Sequence, residues 1–133
     1  MVPKASLQFK GYEIIKVVFD KPLNYSNTNF QIDVNHIAHV DKSNTNIVSS
    51  EFVVNISDSD KKFNLIVQTI GHFEITGEVS EDVYNNYINI SSPSIVYPYI
   101  RAFITNIVIQ AGMQPIIIPP LNFADRPSLK TED

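Results

Sequence analysis

The side chains best suited to metal binding are three histidines, and their spacing does not favour a shared site. His36 and His39 lie in one segment in which apolar and polar residues alternate, whereas His72 lies much further along the chain. Alternation of this kind is typical of a β-strand, and positions three apart on a strand point to opposite faces. We therefore predict structural or surface histidines and no metal site.

Several carboxylates are the remaining candidates for acid–base chemistry. They are Glu51, Glu74, Glu78, Glu81 and Asp82. Most fall at expected turns or at the start of a helix, where negative charge is favoured by the helix dipole alone. The sequence has no nucleophile elbow, no phosphate-binding loop and no supportable Ser-His-Asp spacing. We therefore expect a protein that is not an enzyme.

The composition indicates one globular domain. The chain has 133 residues, of which 44% are apolar and 18% charged, so a sizeable core can be buried. A net charge of −4 and scattered basic residues argue against nucleic-acid binding. The absence of cysteine excludes disulfides and thiolate metal sites. The N-terminus has no apolar signal core and no stretch is long enough to span a bilayer, so we expect a cytoplasmic protein without membrane insertion.

The first half of the chain is typical of an antiparallel sheet. Four segments have the alternation and the β-branched or aromatic content of strands, and turn residues separate them. They cover residues 7–18, 29–41, 47–57 and 63–69. Gly71 is expected to interrupt the last strand, because a glycine there permits a bulge or a close backbone approach.

The second half changes to a helical period. Ser80 can cap a short helix that ends near Asn89, and residues 92–94 (SPS) then restart the chain. A long helix is predicted over residues 95–111, with Gly112 as its C-terminal stop. The apolar stripe of this helix is wider than one face, which is typical of a helix buried on two sides.

In so small a domain, the second side of the long helix should meet another subunit. We therefore predict an oligomer interface on this helix, formed by Tyr99, Phe103, Ile104, Ile107 and Val108. For the aromatic residues Tyr97, Tyr99 and Phe103, packing in the core or at an interface and contact with a bound partner both remain open.

After the helix, residues 113–123 (MQPIIIPPLNF) contain three prolines and three consecutive isoleucines. Prolines lack the donor that a central strand or a helix requires, so this segment must lie extended across an apolar surface. We predict one domain over residues 1–123 and a flexible tail over residues 124–133.

Three stretches resemble the SecB export chaperone family in their residue types and their spacing. They are residues 71–77 (GHFEITG), residues 92–101 (SPSIVYPYIR) and residues 119–123 (PPLNF). The detailed match covers about the last half of the chain, and Asp20 lies in a segment (FDKP) that is similar to the family's Phe-Glu-Ala-Pro. The Pro-Tyr-x-Arg helix start, joined to the distant Asn-Phe, is the most specific part of the resemblance.

The resemblance implies an α+β fold, with a four-stranded antiparallel sheet followed by a short and a long helix packed on one face. It also implies a dimer of dimers, no cofactor, and an ATP-independent holdase that binds non-native polypeptide clients in an apolar groove, with a role in protein export. The candidate client-binding residues are Phe63, Tyr97, Met113, Ile116, Ile118 and Phe123. The same exposed surface could instead be covered by a neighbouring subunit.

The sequence also departs from the family pattern. The family's further helix after the Asn-Phe motif is not apparent in this chain. Of the acidic positions at which the family docks the SecA motor, only Asp20 is retained, whereas Lys16, Asn64 and Ile66 stand at the others. This loss argues against coupling to SecA. It leaves open an alternative, a dedicated SecB-like chaperone of one partner such as the antitoxin of a toxin–antitoxin pair.

Overall fold

The computed structural model describes residues 4–26, 29–125 and 131–132. Four long strands form most of the sheet: β1 (Ser6–Asp20), β2 (Phe30–Val40), β3 (Ile47–Asp58) and β4 (Asn64–Thr76). A two-residue strand, β5 (Thr131–Glu132), adds to the edge. The four long strands lie where the alternation predicts them, and the α+β fold class is confirmed.

The strand order in the sheet is β1-β4-β3-β2-β5. Strands β2, β3 and β4 form a meander of antiparallel neighbours, whereas β1 pairs antiparallel with β4 at the far side. The connection from β1 to β2 must therefore cross one end of the sheet, as in a Greek key. Strand β5 runs parallel to β2 beside Ala38 and His39.

The two faces of the sheet differ in burial. Along β3 and β4 every second residue is buried, and the buried set includes the largest side chains of the core, such as Phe52, Phe63 and Phe73. We call this the inner face. The opposite, outer face carries half-buried residues, many of them polar, such as Glu51 and Gln68. One packed and one solvated face is the arrangement that the alternation of an antiparallel sheet predicts.

Gly71 does not interrupt β4, which continues for five residues beyond it. The expected interruption is therefore wrong. The second expectation for this glycine, a close approach, is confirmed: a Cβ atom at position 71 would lie 2.3 Å from Cγ2 of Val96. The glycine removes a side chain at the point where the long helix crosses the strand.

The helical half is one continuous path rather than two separate helices. A short helix, α1 (Glu81–Asn86), passes through a π-helical turn (Tyr87–Ser91) into the long helix, α2 (Ser92–Gln110). The predicted restart at residues 92–94 is therefore wrong. Pro93 is the second residue of α2, where a missing N–H is tolerated, and the hydroxyl groups of Ser92 and Ser94 on either side of it donate to the carbonyl oxygens of Tyr87 and Ile90, at 2.6 and 2.5 Å. The chain thus accommodates Pro93 without breaking.

The predicted ends of the helical half are confirmed. The Oγ atom of Ser80 accepts from the N–H of Val83 at 3.3 Å, which caps α1. At the other end Gly112 adopts a φ of 79°, and the N–H of Met113 donates to the carbonyl oxygen of Val108 at 3.2 Å. A left-handed glycine with this long-range bond is the Schellman ending of a helix.

Helix α2 packs on the inner face through residues four positions apart. Val96, Ile100, Ile104 and Val108 have no exposed surface. Because the i, i+4 row lies along one side of a helix, the opposite side of α2 faces away from the sheet. Among the described residues, no helix is long and apolar enough to cross a membrane.

The predicted flexible tail, residues 124–133, lies largely outside the described residues. Within the described part, Phe123–Asp125 form one turn of 3₁₀ helix after α2, and β5 follows.

Candidate functional site

Residues 113–123, which we call the strap, follow α2 without regular secondary structure until its last residue enters the 3₁₀ turn. The three consecutive isoleucines alternate in burial. Ile116 and Ile118 are buried, whereas the side chain of Ile117 between them is 83% exposed. The strap therefore lies extended on an apolar surface, as predicted, with one row of side chains pointing in and another pointing out.

An aromatic cluster fixes the end of the strap. The ring of Phe123 lies edge-on to the rings of Phe52 and Tyr97, with both centroid distances 5.9 Å. Tyr97 also donates a hydrogen bond from its hydroxyl group to the carbonyl oxygen of Pro119 at 2.7 Å. His36 closes the cluster from β2 and forms a hydrogen bond with Ser50. The cluster thus joins the strap, helix α2 and the inner face.

Most of the residues predicted to contact clients belong to the hydrophobic core of the domain. Phe63, Tyr97, Ile116, Ile118 and Phe123 are all buried, and Met113 alone is half-buried. In this conformation five of the six offer almost no surface to another chain. The apolar side of the strap lies on an apolar surface, as predicted, but that surface is the chain's own sheet and helix, which the sequence does not indicate.

A groove remains between the strap and the outward side of α2. It has a volume of about 590 Å³. The helix contributes Pro98, Arg101, Ala102, Thr105, Asn106 and Ile109, and the strap contributes Pro115, Ile116, Ile117 and Ile118. Ile109 and Ile117, on opposite walls, are the most exposed apolar side chains of the groove. This groove is a concave, mostly apolar surface open to solvent.

A second exposed apolar surface, which we call the β1 patch, comprises Phe9, Ile14, Val17 and Tyr99. All four side chains are exposed although three lie on the inner side of β1. The ring of Tyr99 stacks on that of Tyr12 at 5.2 Å and approaches that of Phe9 at 5.7 Å. Helix α2 lies mainly over β3 and β4 and reaches β1 through Tyr99, so these side chains on the inner side of β1 stay exposed.

The predicted interface residues of α2 fall into three groups. Ile104 and Val108 are fully buried against the chain's own sheet and have no surface for another subunit. Phe103 and Ile107 are half-buried, and Tyr99 is exposed in the β1 patch. The apolar residues of α2 that face the sheet are therefore largely different from those that face outward. The helical period alone does not show which apolar residues belong to which side.

A model of the family described as "Preprotein translocase subunit SecB" matches residues 16–126, which is most of the chain. The chain belongs to the SecB family. The match joins the strand half, in which the resemblance was weak, to the helical half that carries the motifs.

The individual proteins to which the chain is similar are distant in sequence. The uncharacterized protein MJ0357 of Methanocaldococcus jannaschii is 27% identical over 92% of this chain and 83% of that protein. The protein-export protein SecB of Nitrosomonas europaea is 29% identical over 71% of this chain, and the alignment spans 59% of that protein's length. The solved SecB-like chaperone Rv1957 of Mycobacterium tuberculosis, in complex with a ChAD peptide from the HigA1 antitoxin Rv1956, has a TM-score of 0.69 at 11% identity. The structural match covers 87% of this chain and 88% of the Rv1957 chain.

The four positions at which the SecB resemblance implies motor docking share the outer face. Asp20 is paired with Asn64, and Ile66 and Lys16 follow along the same two strands. The positions are thus neighbours, as the docking hypothesis requires. Only Asp20, which is exposed, carries a negative charge among the four.

Two other carboxylates of the outer face, Glu51 and Glu13, contact histidine side chains. Glu51 contacts Nε2 of His39 and accepts from Nε2 of Gln68, both at 2.7 Å. Glu13 contacts Nε2 of His72 at 2.7 Å. His36 and His39 do point to opposite faces, and in the described part of the chain no three His, Asp or Glu side chains are grouped to hold a metal.

A cavity of about 670 Å³ lies at the end of the sheet under the β1–β2 connection. Its lining is more polar than that of the groove and includes Asp20, Lys21, Asp60 and Lys62. Leu23, which is 87% exposed, is its main apolar feature. Charged walls are less suited than the groove to binding apolar side chains.

Two candidate site residues do not stand out in the sequence. Ile109 is not distinguishable within the wide apolar stripe of the long helix, and Ile117 is not distinguishable from the isoleucines on either side of it. The adjacent apolar pair Ile14-Ile15 is a signal that could have located the β1 patch, because it breaks strict alternation where β1 has a register shift between Ile14 and Lys16.

Proposed function

We propose that this SecB-family chain is a non-enzymatic, ATP-independent holdase that binds non-native polypeptides, and that clients lie in the groove between α2 and the strap. The single observation that carries the proposal is the exposure of Ile109 and Ile117 on facing walls of an open apolar groove. Contiguous exposed apolar surface of this kind is typical of interaction sites.

The energetics of such a groove suit clients of no fixed sequence. Covering a side chain as exposed as Ile117 contributes about 1.5–3 kcal/mol, and this apolar term has no directional requirement. The groove is lined mainly by aliphatic side chains, so specificity for one hydrogen-bonding pattern is not built in. Weak contacts along an extended client would therefore add up whichever apolar residues it carries.

We further propose that the protein is a cytoplasmic homo-oligomer, a dimer of dimers as the SecB resemblance implies, in which the β1 patch forms a subunit contact. The patch combines the edge strand of the described sheet with exposed aromatic and aliphatic side chains in line. Burying such a surface against a second copy is the ordinary outcome for an apolar patch of this composition.

The test is suppression of aggregation. Rhodanese unfolded in guanidinium is diluted into buffer with the wild-type protein, with Ile117→Lys, or with Ile109→Lys, and light scattering is followed. We expect the wild type to suppress scattering and either groove variant to weaken suppression by about tenfold, since a charged head in an apolar groove costs about 1–3 kcal/mol. Because the mutated side chains are exposed, the thermal midpoints should not change.

Leu23→Lys is the matched control, because Leu23 is as exposed as Ile117 but lies at the end of the sheet. It adds the same charge and should leave suppression intact. Equal loss in the control would point to net charge rather than the groove. If the folded wild-type protein suppressed the aggregation of no unfolded protein, a general holdase function would be excluded.

A second candidate is a dedicated chaperone of one partner. The observation that favours it is the outer face, where Lys16, Asn64 and Ile66 surround the single carboxylate of Asp20. A similar fold occurs in a SecB-like chaperone solved with a peptide from an antitoxin. Binding measurements with several unfolded proteins of unrelated sequence distinguish the two functions. A general holdase should bind all of them with similar affinity. A dedicated chaperone should bind none of them and should not bind purified SecA.

A further inference from the structure

The groove between α2 and the strap carries a single charge. Its two walls come from residues 92–110 and 113–123, and Arg101 is the only acidic or basic residue in the sequence between Asp82 and Asp125. The other residues that line the groove are isoleucine, alanine, proline, threonine or asparagine. A client in this groove would therefore meet one positive charge and no negative charge on its walls.

The guanidinium group of Arg101 is positioned by an aromatic ring that is itself fixed. Its Cζ atom lies 5.9 Å from the centroid of the Tyr97 ring. Tyr97 is buried, with its ring against that of Phe123 and its hydroxyl group donating to the carbonyl oxygen of Pro119 at 2.7 Å. A cation–π contact orients a guanidinium group but does not neutralise its charge. The positive charge is therefore held at one place along the groove.

The surroundings of Arg101 favour an anion from outside the chain. The residue is half-buried in a mostly apolar groove, where a charge interacts more strongly with a counter-ion than it does in water. The ion pairs found among the described residues involve other cations, on the outer face of the sheet. A planar guanidinium group can donate to both oxygens of a carboxylate at once. A carboxylate is therefore the anion that fits best.

The charged and apolar parts of the groove lie at a fixed separation. Arg101, Thr105 and Ile109 follow one another at intervals of four residues, so they lie along one side of α2. Eight residues of helix rise about 12 Å, which an extended chain spans with about four residues. Ile117 lies opposite Ile109 and completes the apolar part. The geometry thus sets a spacing between an acidic residue and an apolar anchor in a client.

We propose that the groove selects client segments in which an acidic side chain lies about four residues from an apolar anchor, and that Arg101 binds the carboxylate. This inference rests on the proposed function, because it names a client class for the same groove. Apolar contacts still give affinity without a fixed sequence. Arg101 adds a preference for Glu or Asp and disfavours Lys or Arg at the same position.

Peptide binding to the full chain tests the proposal. The probes are acetylated and amidated peptides with an apolar Phe-Leu pair and, about four residues away, a guest residue that is glutamate, glutamine or lysine. In NMR titrations the wild type should bind the glutamate peptide about tenfold more tightly than the glutamine peptide, and the lysine peptide most weakly, since charge-assisted hydrogen bonds are the stronger ones. Added salt should reduce the preference for glutamate.

Two variants of Arg101 separate a binding role from a structural one. Arg101→Gln should bind the glutamate and glutamine peptides equally. Arg101→Glu should reverse the preference and bind the lysine peptide most tightly, a result that a loss of folding cannot produce. The matched control is Lys16→Gln, which removes one positive charge from the outer face and should retain the preference for glutamate.

Equal binding of the glutamate and glutamine peptides by the wild type would overturn the inference. So would loss of the preference in Lys16→Gln, or a preference only for a free C-terminal carboxylate on the glutamine peptide. Equal binding together with a smaller mass of Arg101→Gln in light scattering would assign the charge to a contact between copies and also overturn it. The proposed function fails separately, if the glutamine peptide binds Ile117→Lys as tightly as it binds the wild type.

Discussion

The backbone of Gly71 and the side chain of Val96 are in such close contact that no other residue fits at position 71. A Cβ atom there would lie 2.3 Å from Cγ2 of Val96, a distance that requires something to move. Val96 is itself fully buried under the first turns of α2, so it has no free space to retreat into. This contact sets how closely the long helix approaches β4, and hence the position of both walls of the groove.

Gly71→Ala should therefore destabilise the protein by about 1–3 kcal/mol, the usual range for overpacking a core. Adding Val96→Ala removes the clashing methyl groups, so the double variant should be less destabilised than the sum of the two single variants. Urea unfolding of the four proteins at one concentration measures this coupling. Additive effects would mean that the helix is not held by this contact.

Much of the fold could be predicted from the sequence because its patterns are local. The period of two in β3 and β4 gives the inner face directly, and Ser80 and Gly112 mark the helix ends by their conformational preferences. Pro93 was misread for a physical reason: a proline often marks the start of a new helix, whereas here the π-helical turn before it keeps the path continuous.

The site was harder to predict because it depends on which surfaces meet. An apolar row in the strap is compatible with exposure to clients and with burial on the chain's own sheet, and only the position of Phe123 against Phe52 decides between them. Likewise, Ile104 and Ile109 are both apolar residues of α2, yet one is buried and the other forms a wall of the groove. Long-range contacts of this kind leave no periodic signal.

Asp58 is a buried carboxylate that joins the β3–β4 turn to the connection between β1 and β2. It accepts hydrogen bonds from the hydroxyl group of Tyr25 at 2.5 Å and from the N–H groups of Lys62 and Phe63 at 2.9 and 3.2 Å. Asp58→Ala should cost about 1–3 kcal/mol, because the Phe63 N–H would be buried without its acceptor. Asp60→Ala, at an exposed position of the same turn, should change the free energy of unfolding by less than about 0.5 kcal/mol. Equal effects in urea unfolding would contradict the structural role of Asp58.

Tyr12 gives the protein an alkaline pH dependence. Burial raises the pKa of its hydroxyl group above the ordinary value of 10.0, and the neighbouring Thr69 side chain lowers this pKa only in part. Because the folded state retains the proton longer, the stabilising contribution is complete below about pH 10 and is lost as the pH rises through the folded-state pKa. The decline in unfolding free energy should be steeper in the wild type than in Tyr12→Phe. Identical slopes, or a Tyr12 that ionises with the exposed tyrosines by ultraviolet absorbance, would contradict this.

The β1 patch should control the size of the assembly. Ile14 is exposed on the inner side of β1, in line with Val17 and Phe9. Ile14→Lys places a charge in the proposed subunit contact, where desolvation without a partner is unfavourable by several kcal/mol. The mass measured by light scattering should therefore fall to that of a smaller species.

The matched control is Gln8→Lys, which adds the same charge on the outer face of the same strand. An unchanged mass in Ile14→Lys, with the thermal midpoint preserved, would exclude the patch as the contact. Equal dissociation by Gln8→Lys would place the contact on the strand edge rather than on the patch.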